Sequence, residues 1–293
     1  MYKILFSSVV LALAVSGCSS MNHGSTGASG VGQTTTSAAM GAMPGMTHDS
    51  STSAGDGMAG MNHGTPAEGL RVQIVTSPTK AGIEQALSFK VVDSSGGIVN
   101  QYEIEQTKEL HLVIVRSDLS GYQHLHPARD NLGVWSIPLT LAKGGVFRVV
   151  ADFVPVMGGM AMGRTAVVTD LSIVPSAADT PLPAESASAA VDGYLVELVG
   201  NLGGVKDAPL DFVVTGPDGK PVKLEPYLGS FGHLVAFAKA DLTYTHIHPE
   251  SANAASGTLK FVGHTKTTGV HRLFLQFAAA GKVHTAEFTA SAA

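Results

Sequence analysis

Histidine recurs in this chain in a pattern that suits a metal ion. Tyr122-Gln-His124-Leu-His126-Pro127 reappears as Tyr244-Thr-His246-Ile-His248-Pro249. Each pair follows another histidine by thirteen residues, His111 in the first copy and His233 in the second. Strand residues two apart share a face, with Cα atoms about 6.6 Å apart. His124 and His126 therefore project together while Leu125 faces away, and His246 and His248 do the same around Ile247. If segments 109–116 and 122–126 pair as a hairpin, opposed positions sum to about 238, which sets His111 beside His126. Three imidazoles then converge on one ion, a set that suits copper or zinc. Pro127 and Pro249 end their strands and leave the third histidine near a rim open to solvent. The bland alternative is structural: a His-x-His pair that bonds backbone or the tyrosines Tyr122 and Tyr244.

Methionine adds a second ligand type. Met43-x-x-Met46-x-His48 recurs as Met58-x-x-Met61-x-His63, and Met21-Asn22-His23-Gly24 as Met61-Asn62-His63-Gly64. Methionine usually fills cores, yet of the ten here only the initiator and three others lie outside the polar stretch 19–69. Those three, Met157, Met160 and Met162, sit in the run VMGGMAMG. Thioether with imidazole suits copper, Cu(I) in particular, and Ag(I) is chemically similar. The competing account is low-complexity drift. Matching Phe153 to Phe277 and carrying the alignment forward sets Met160 opposite His284, while His271 stands where Phe147 stands. The expectation is a mixed His/Met site in the first copy (His111, His124, His126, Met157, Met160, Met162), favouring Cu(I). The second copy would hold a His-rich site (His233, His246, His248, His271, His284), favouring Cu(II) or zinc. His264 lies outside the repeat and receives no role.

Composition narrows the classes. The 293 residues carry a formal charge of −5 and 34 glycines, and 14% are charged. That length allows two domains with cores of their own. Mild acidity argues against nucleic-acid binding, which needs a basic face. One cysteine excludes an internal disulfide framework, a Cys-type zinc site and an iron–sulfur cluster, and because that cysteine is Cys18, ahead of both domains, they lack the thiolate of a blue-copper centre. No apolar run reaches the roughly 20 residues that span a bilayer. No nucleophile–base or acid–base carboxylate pair stands out, so the chain is not expected to be an enzyme, and a copper oxidase or dismutase ranks last.

The N-terminal residues read as an address and a tether. Residues 1–18 have Lys3, then the apolar stretch Ile4 to Val15, the pattern of a secretory signal. Val15-Ser16-Gly17-Cys18 resembles the lipobox of bacterial lipoproteins. That resemblance implies lipidation of Cys18, membrane attachment outside the cytoplasm and, with Ser19 following in a Gram-negative cell, the outer membrane. Residues 19–69 hold too few apolar anchors to offset their ordering entropy and read as a disordered tether.

From residue 70 the pattern becomes short Val-, Ile- and Phe-rich runs between turn signals. Predicted strands are 70–76, 86–93, 109–116, 122–126, 133–141, 145–153 and 165–174, then 192–199, 209–215, 232–239, 243–248, 257–263, 269–277 and 283–290. Seven short strands per copy point to an all-β chain with two tandem immunoglobulin-like antiparallel β-sandwich domains, 70–175 and 191–293, joined by a linker at 176–190. His111-Leu-Val-Ile-Val matches His233-Leu-Val-Ala-Phe, and Gly145-Val-Phe-Arg148 matches Gly269-Val-His-Arg272, as tandem duplication leaves.

Leu110-His-Leu-Val-Ile-Val with His124-Leu-His-Pro, and Tyr227-Leu-Gly-Ser-Phe-Gly-His233-Leu-Val with His246-Ile-His-Pro, resemble secreted bacterial heavy-metal-binding or YtkA-like proteins, whose immunoglobulin-like domains stand near the periplasmic copper-resistance proteins. The resemblance spans about residues 70–290 and implies a β-sandwich that handles metal in the envelope. The leading expectation is a lipid-anchored protein that sequesters copper or silver or delivers it, with a copper exporter or cuproenzyme as partner. Its copper affinity should fall with pH as protons compete for imidazole. The other expectation is a metal-independent envelope or adhesion module of sandwich repeats.

Overall fold

The computed structural model describes residues 65–293, and among them no helix occurs. Cys18, Met43, Met46, His48, Met58, Met61 and His63, with the signal-peptide and tether assignments, lie outside the described residues. Ten strands form the first domain: β1 (Arg71–Thr76), β2 (Glu84–Val92), β3 (His111–Arg116), β4 (Gln123–Leu125), β5 (Ala128–Arg129), β6 (Trp135–Thr140), β7 (Gly145–Phe153), β8 (Val156–Met157), β9 (Met160–Ala161) and β10 (Thr165–Ile173). Nine form the second: β11 (Ser188–Val191), β12 (Tyr194–Gly200), β13 (Ala208–Thr215), β14 (Gly232–Ala238), β15 (Tyr244–Ile247), β16 (Pro249–Asn253), β17 (Thr258–Gly263), β18 (Gly269–Ala279) and β19 (Lys282–Ala292).

Each domain is a two-sheet sandwich. The first pairs the sheet β1-β2-β6-β5 with β10-β7-β3-β4, and the second pairs β11-β12-β13-β17-β16 with β15-β14-β18-β19. Every predicted strand is present, most within two residues at each end; the short β5, β8, β9, β11 and β16 were not foreseen. Sandwich strands bury one face and wet the other, and β13 and β17 alternate in that way. Leu87, Phe89, Leu112, Ile114, Trp135 and Phe153 fill the first core. Phe212, Leu234, Ala236, Phe261, Phe277 and Phe288 are among those filling the second.

β3 and β14 break the alternation, since every residue of both is buried. Their even-numbered members line the two domain cores through Leu112, Ile114, Leu234 and Ala236. Their odd-numbered members, Val113, Val115, Val235 and Phe237, belong to a third cluster with Leu119, Val150, Tyr244 and Phe274. That cluster draws on both domains. The inner sheets therefore pack face to face and bury a continuous apolar seam. Tyr122 of the first domain lies flat on Phe274 of the second, ring centroids 4.1 Å apart. Arg148 donates across the seam to the carbonyl of Asp241 at 3.1 Å.

Candidate functional site: a histidine cluster at the domain seam

The histidines stand at one end of this seam. β4 pairs with β3 so that Leu112 faces Leu125 and Val113 faces His124. Opposed positions thus sum to one less than expected, which continues to His111 opposite His126. Parity puts His111, His124 and His126 on the same face as Val113 and Val115, the face turned to the second domain. The same rule acts in the second domain, where Val235 pairs with His246 and Phe237 with Tyr244. The two triads, expected as separate sites within separate domains, lie instead in one interdomain cluster. His124 stacks on His233 with centroids 4.2 Å apart, and His111 stands 5.7 Å from His233 and 6.2 Å from His246. Sequence periodicity gave the shared face of each triad, but nothing local reports that two such faces meet.

The first triad converges. His111 Nδ1 is 3.0 Å from His124 Nε2 and 3.2 Å from His126 Nε2, and one ligand nitrogen from each ring lies within 4.8 Å of the others. An ion held tetrahedrally at 2.0–2.1 Å by imidazoles sets their nitrogens about 3.3 Å apart, so the spacing fits. Hydrogen bonds behind the rings fix which nitrogen carries the proton. His111 Nε2 lies 3.0 Å from the Glu105 carbonyl, which can only accept, so the N–H is there and Nδ1 holds a lone pair. His124 Nδ1 lies 2.7 Å from Oε1 of Gln276, an acceptor from the second domain, so its Nε2 holds a lone pair. Two lone pairs are thus opposed at 3.0 Å, an arrangement that asks for a cation between them. Burial disfavours an added proton: it pushes His111 below the ordinary range, His124 down to about 4 and His126 down to about 3.

The second triad is held from the first domain in return. His246 Nδ1 donates to Oδ2 of Asp152 at 2.8 Å, and that oxygen also accepts from the Tyr244 hydroxyl at 2.9 Å. Arg164 Nη1 donates to Oδ1 of Asp152 at 3.0 Å and lies 2.9 Å from His246 Nδ1, and its other amino group reaches Glu105 at 3.0 Å. Burial raises the Asp152 pKa, but Arg164 and His246 outweigh it and hold the carboxyl well below the carboxylate range. Asp152 and Gln276 occupy matching places on β7 and β18, Asp152 opposite His111 and Gln276 opposite His233. Each orients a histidine of the other domain. A carboxylate or carbonyl behind an imidazole is the usual support of a metal-ligating histidine. Three ring nitrogens stay buried without a hydrogen-bond partner, both of His233 and Nε2 of His246; His233 is 1% exposed. An unsatisfied buried polar atom costs about 1–3 kcal/mol, so these nitrogens need an account.

Three expectations are corrected. His284 does not match Met160. Phe277 pairs with His284 on β18 and β19, and Phe153 pairs with Thr165 on β7 and β10, so Thr165 is the counterpart. The first copy inserts a hairpin, β8-β9, where the second turns tightly, and a linear alignment slips there. His284 spends both nitrogens structurally, on Asp192 at 2.8 Å and on the carbonyl of Ala279 at 3.2 Å. His271 pairs with Ala238 at the far end of β14 from His233 and bonds the Gly269 carbonyl at 2.9 Å and Thr267 at 3.3 Å. Both therefore leave the ligand set. The methionine run forms the inserted hairpin, in which Met157 pairs directly with Met160. Directly paired residues place their side chains on one face, so these thioethers stand together, with Met160 exposed. Met162 follows β9, its amide bonded to the Pro155 carbonyl at 2.9 Å. His264 is exposed and bonds Asp207 at 3.1 Å.

Fold and repeat define a tandem β-sandwich protein. The chain belongs to the family described as a domain of unknown function (DUF8832), whose model matches it twice, over residues 65–169 and 189–293. The two matches are the two halves of the duplication. No curated protein matches the chain. Among solved structures it is similar to FdeC, an adhesin of Escherichia coli, at 12% identity and a TM-score of 0.24, over 76% of this chain and 64% of that one. It is also similar to invasin, a bacterial integrin-binding protein, at 16% identity and a TM-score of 0.21, over 75% of this chain and 39% of that one. The biofilm-associated protein BSP domain follows at 8% identity and a TM-score of 0.20, over 82% and 53%. The chain spans less than two thirds of each of these structures.

Proposed function

We propose that the chain is a lipid-anchored extracytoplasmic protein that binds copper, with silver or zinc as related guests, and sequesters the ion or hands it on. The observation that carries this reading is the pair of opposed lone pairs, His111 Nδ1 and His124 Nε2, 3.0 Å apart with His126 beside them. His111, His124 and His126 would hold the ion, and an imidazole set suits Cu(II) or zinc. The paired thioethers of Met157 and Met160, with Met162 beside them, offer Cu(I) or Ag(I) a softer surface site. The tether motifs Met43-x-x-Met46-x-His48 and Met58-x-x-Met61-x-His63 would add exchangeable capture sites. Membrane attachment through Cys18, and a copper exporter or cuproenzyme as partner, belong to the same reading, as does the resemblance to YtkA-like metal-binding proteins. No catalytic role is assigned. Elemental analysis and copper titration of the full mature chain beside His111→Ala/His124→Ala/His126→Ala test it. The reading expects the variant to bind at least one ion fewer, and equal stoichiometry and affinity would remove the triad as a site.

The second reading is a metal-independent surface or adhesion module at the cell envelope. Its support is the architecture, two sandwiches locked together by a buried apolar seam. The adhesin and invasin structures belong on this side, but at TM-scores of 0.24 and 0.21 they carry no argument for it. This reading expects no bound metal and the same melting temperature with copper as with chelator.

A further inference from the structure

The second domain repeats the strand pairing and the turn of the first triad, but among the described residues only the first triad brings its ring nitrogens together. In the first domain Glu105 and Lys108 close a tight turn, amide to carbonyl at 2.8 and 2.9 Å, over Gln106 and Thr107 at φ 45° and 69°. In the second, Tyr227 and Ser230 close the same turn at 2.6 and 3.1 Å, over Leu228 and Gly229 at φ 53° and 75°. The first turn supplies the carbonyl that orients His111. The second places the Tyr227 carbonyl at the matching point six residues before His233. His246 is already oriented through Nδ1 by Asp152, as His124 is by Gln276. His246 and His248 stand with centroids 4.7 Å apart at 70°, and His124 and His126 stand 4.7 Å apart at 64°. His233 departs furthest from its counterpart, with neither nitrogen bonded although the ring is buried, and His246 Nε2 in turn lacks the imidazole partner that His124 Nε2 has in His111.

We propose that His233, His246 and His248 form a second metal position, so that residues 65–293 take two ions side by side at one domain seam. This rests on the metal-binding reading and extends it. The position closes when the His233 ring turns to donate its Nε2–H to the Tyr227 carbonyl, presenting Nδ1 toward His246 Nε2 and His248. This accounts for the three unpartnered buried nitrogens together. With three imidazoles and no thiolate or carboxylate ligand, the class of ion is a borderline divalent cation such as zinc or Cu(II). His248 is exposed at the rim and gives the ion its way in. Each ion is backed by the opposite domain, the second by Asp152 and the first by Gln276, so loading one position stiffens the support of the other.

The test counts Co(II), a spectroscopic stand-in for zinc, on the full chain with His23, His48 and His63 replaced by alanine so that the count refers to residues 65–293. Two ions are expected. His248→Ala, an exposed change that spares the core, should lower the count to one, His233→Asn should do the same, and His126→Ala should remove the other ion. A single ion lost in His126→Ala and unaffected by His248→Ala overturns the second position and leaves the metal-binding reading standing. A single ion weakened by both substitutions overturns it in favour of one shared ion. No Co(II) on any of these proteins overturns the metal-binding reading of residues 65–293 itself.

Discussion

His124 of the first domain and Gln276 of the second are joined by a 2.7 Å hydrogen bond across the seam, so the orientation of a histidine in one repeat is set by the other. The bond fixes the proton on Nδ1 and directs Nε2 at His111. Gln276→Ala removes that support while leaving all three imidazoles. Supporting partners of this kind are worth about 10- to 100-fold in metal affinity. Titration of Gln276→Ala should show a loss in that range at unchanged stoichiometry.

Asp152 is a buried charge compensated by Arg164 and satisfied by Tyr244 and His246. Removing one partner of a buried pair costs about 3–5 kcal/mol because the other charge is left uncompensated. Asp152→Ala should therefore lower the melting temperature markedly even with metal absent, whereas Glu109→Ala, which breaks the partly exposed pair with Arg129, should change stability by less than about 1 kcal/mol. Thermal unfolding followed by circular dichroism separates the two.

Burial lowers the pKa of His124 to about 4 and of His126 and His246 to about 3. In the unfolded chain these rings take protons near 6.5. Between that value and about 3 the unfolded state binds more protons than the folded one, so stability is full above pH 6.5 and declines as pH falls through that window. Denaturant midpoints of the metal-free chain should fall from pH 7 to pH 4 and flatten above pH 7. Replacing His124, His126 and His246 with glutamine should reduce the slope.

Phe274 anchors the seam under the Tyr122 ring. Phe274→Ala should cost about 3–5 kcal/mol and loosen the two sandwiches from one another. Limited proteolysis should then cut at the connection around residues 176–187 faster than in the wild type. Leu132→Ala, on an exposed side chain, should leave cutting unchanged.

Much of this was legible in the residues. The duplication, the strands and the shared face of each histidine triplet follow from spacing and period two. The seam did not follow, although one signal for it was present. His111-Leu-Val-Ile-Val and His233-Leu-Val-Ala-Phe are apolar on both faces, the mark of a strand covered on both sides, and each domain alone needs only one face covered. His271 and His284 were misassigned because residue type outweighed position. His271 lies at the wrong end of β18, and the β8-β9 insertion shifts the register that had set Met160 against His284. Support from another domain leaves no local pattern, so nothing in the sequence around Asp152 or Gln276 signals their part.

Whether imidazoles at the domain seam ligate a metal ion is read out by electron paramagnetic resonance of the Cu(II)-loaded full chain. The wild type and a His23→Ala/His48→Ala/His63→Ala variant should both show nitrogen couplings from several imidazoles, and His111→Ala/His124→Ala/His126→Ala should lose part of them. A spectrum without imidazole coupling in the His23→Ala/His48→Ala/His63→Ala variant, or one unchanged by loss of the seam triad, would mean that the seam holds no copper.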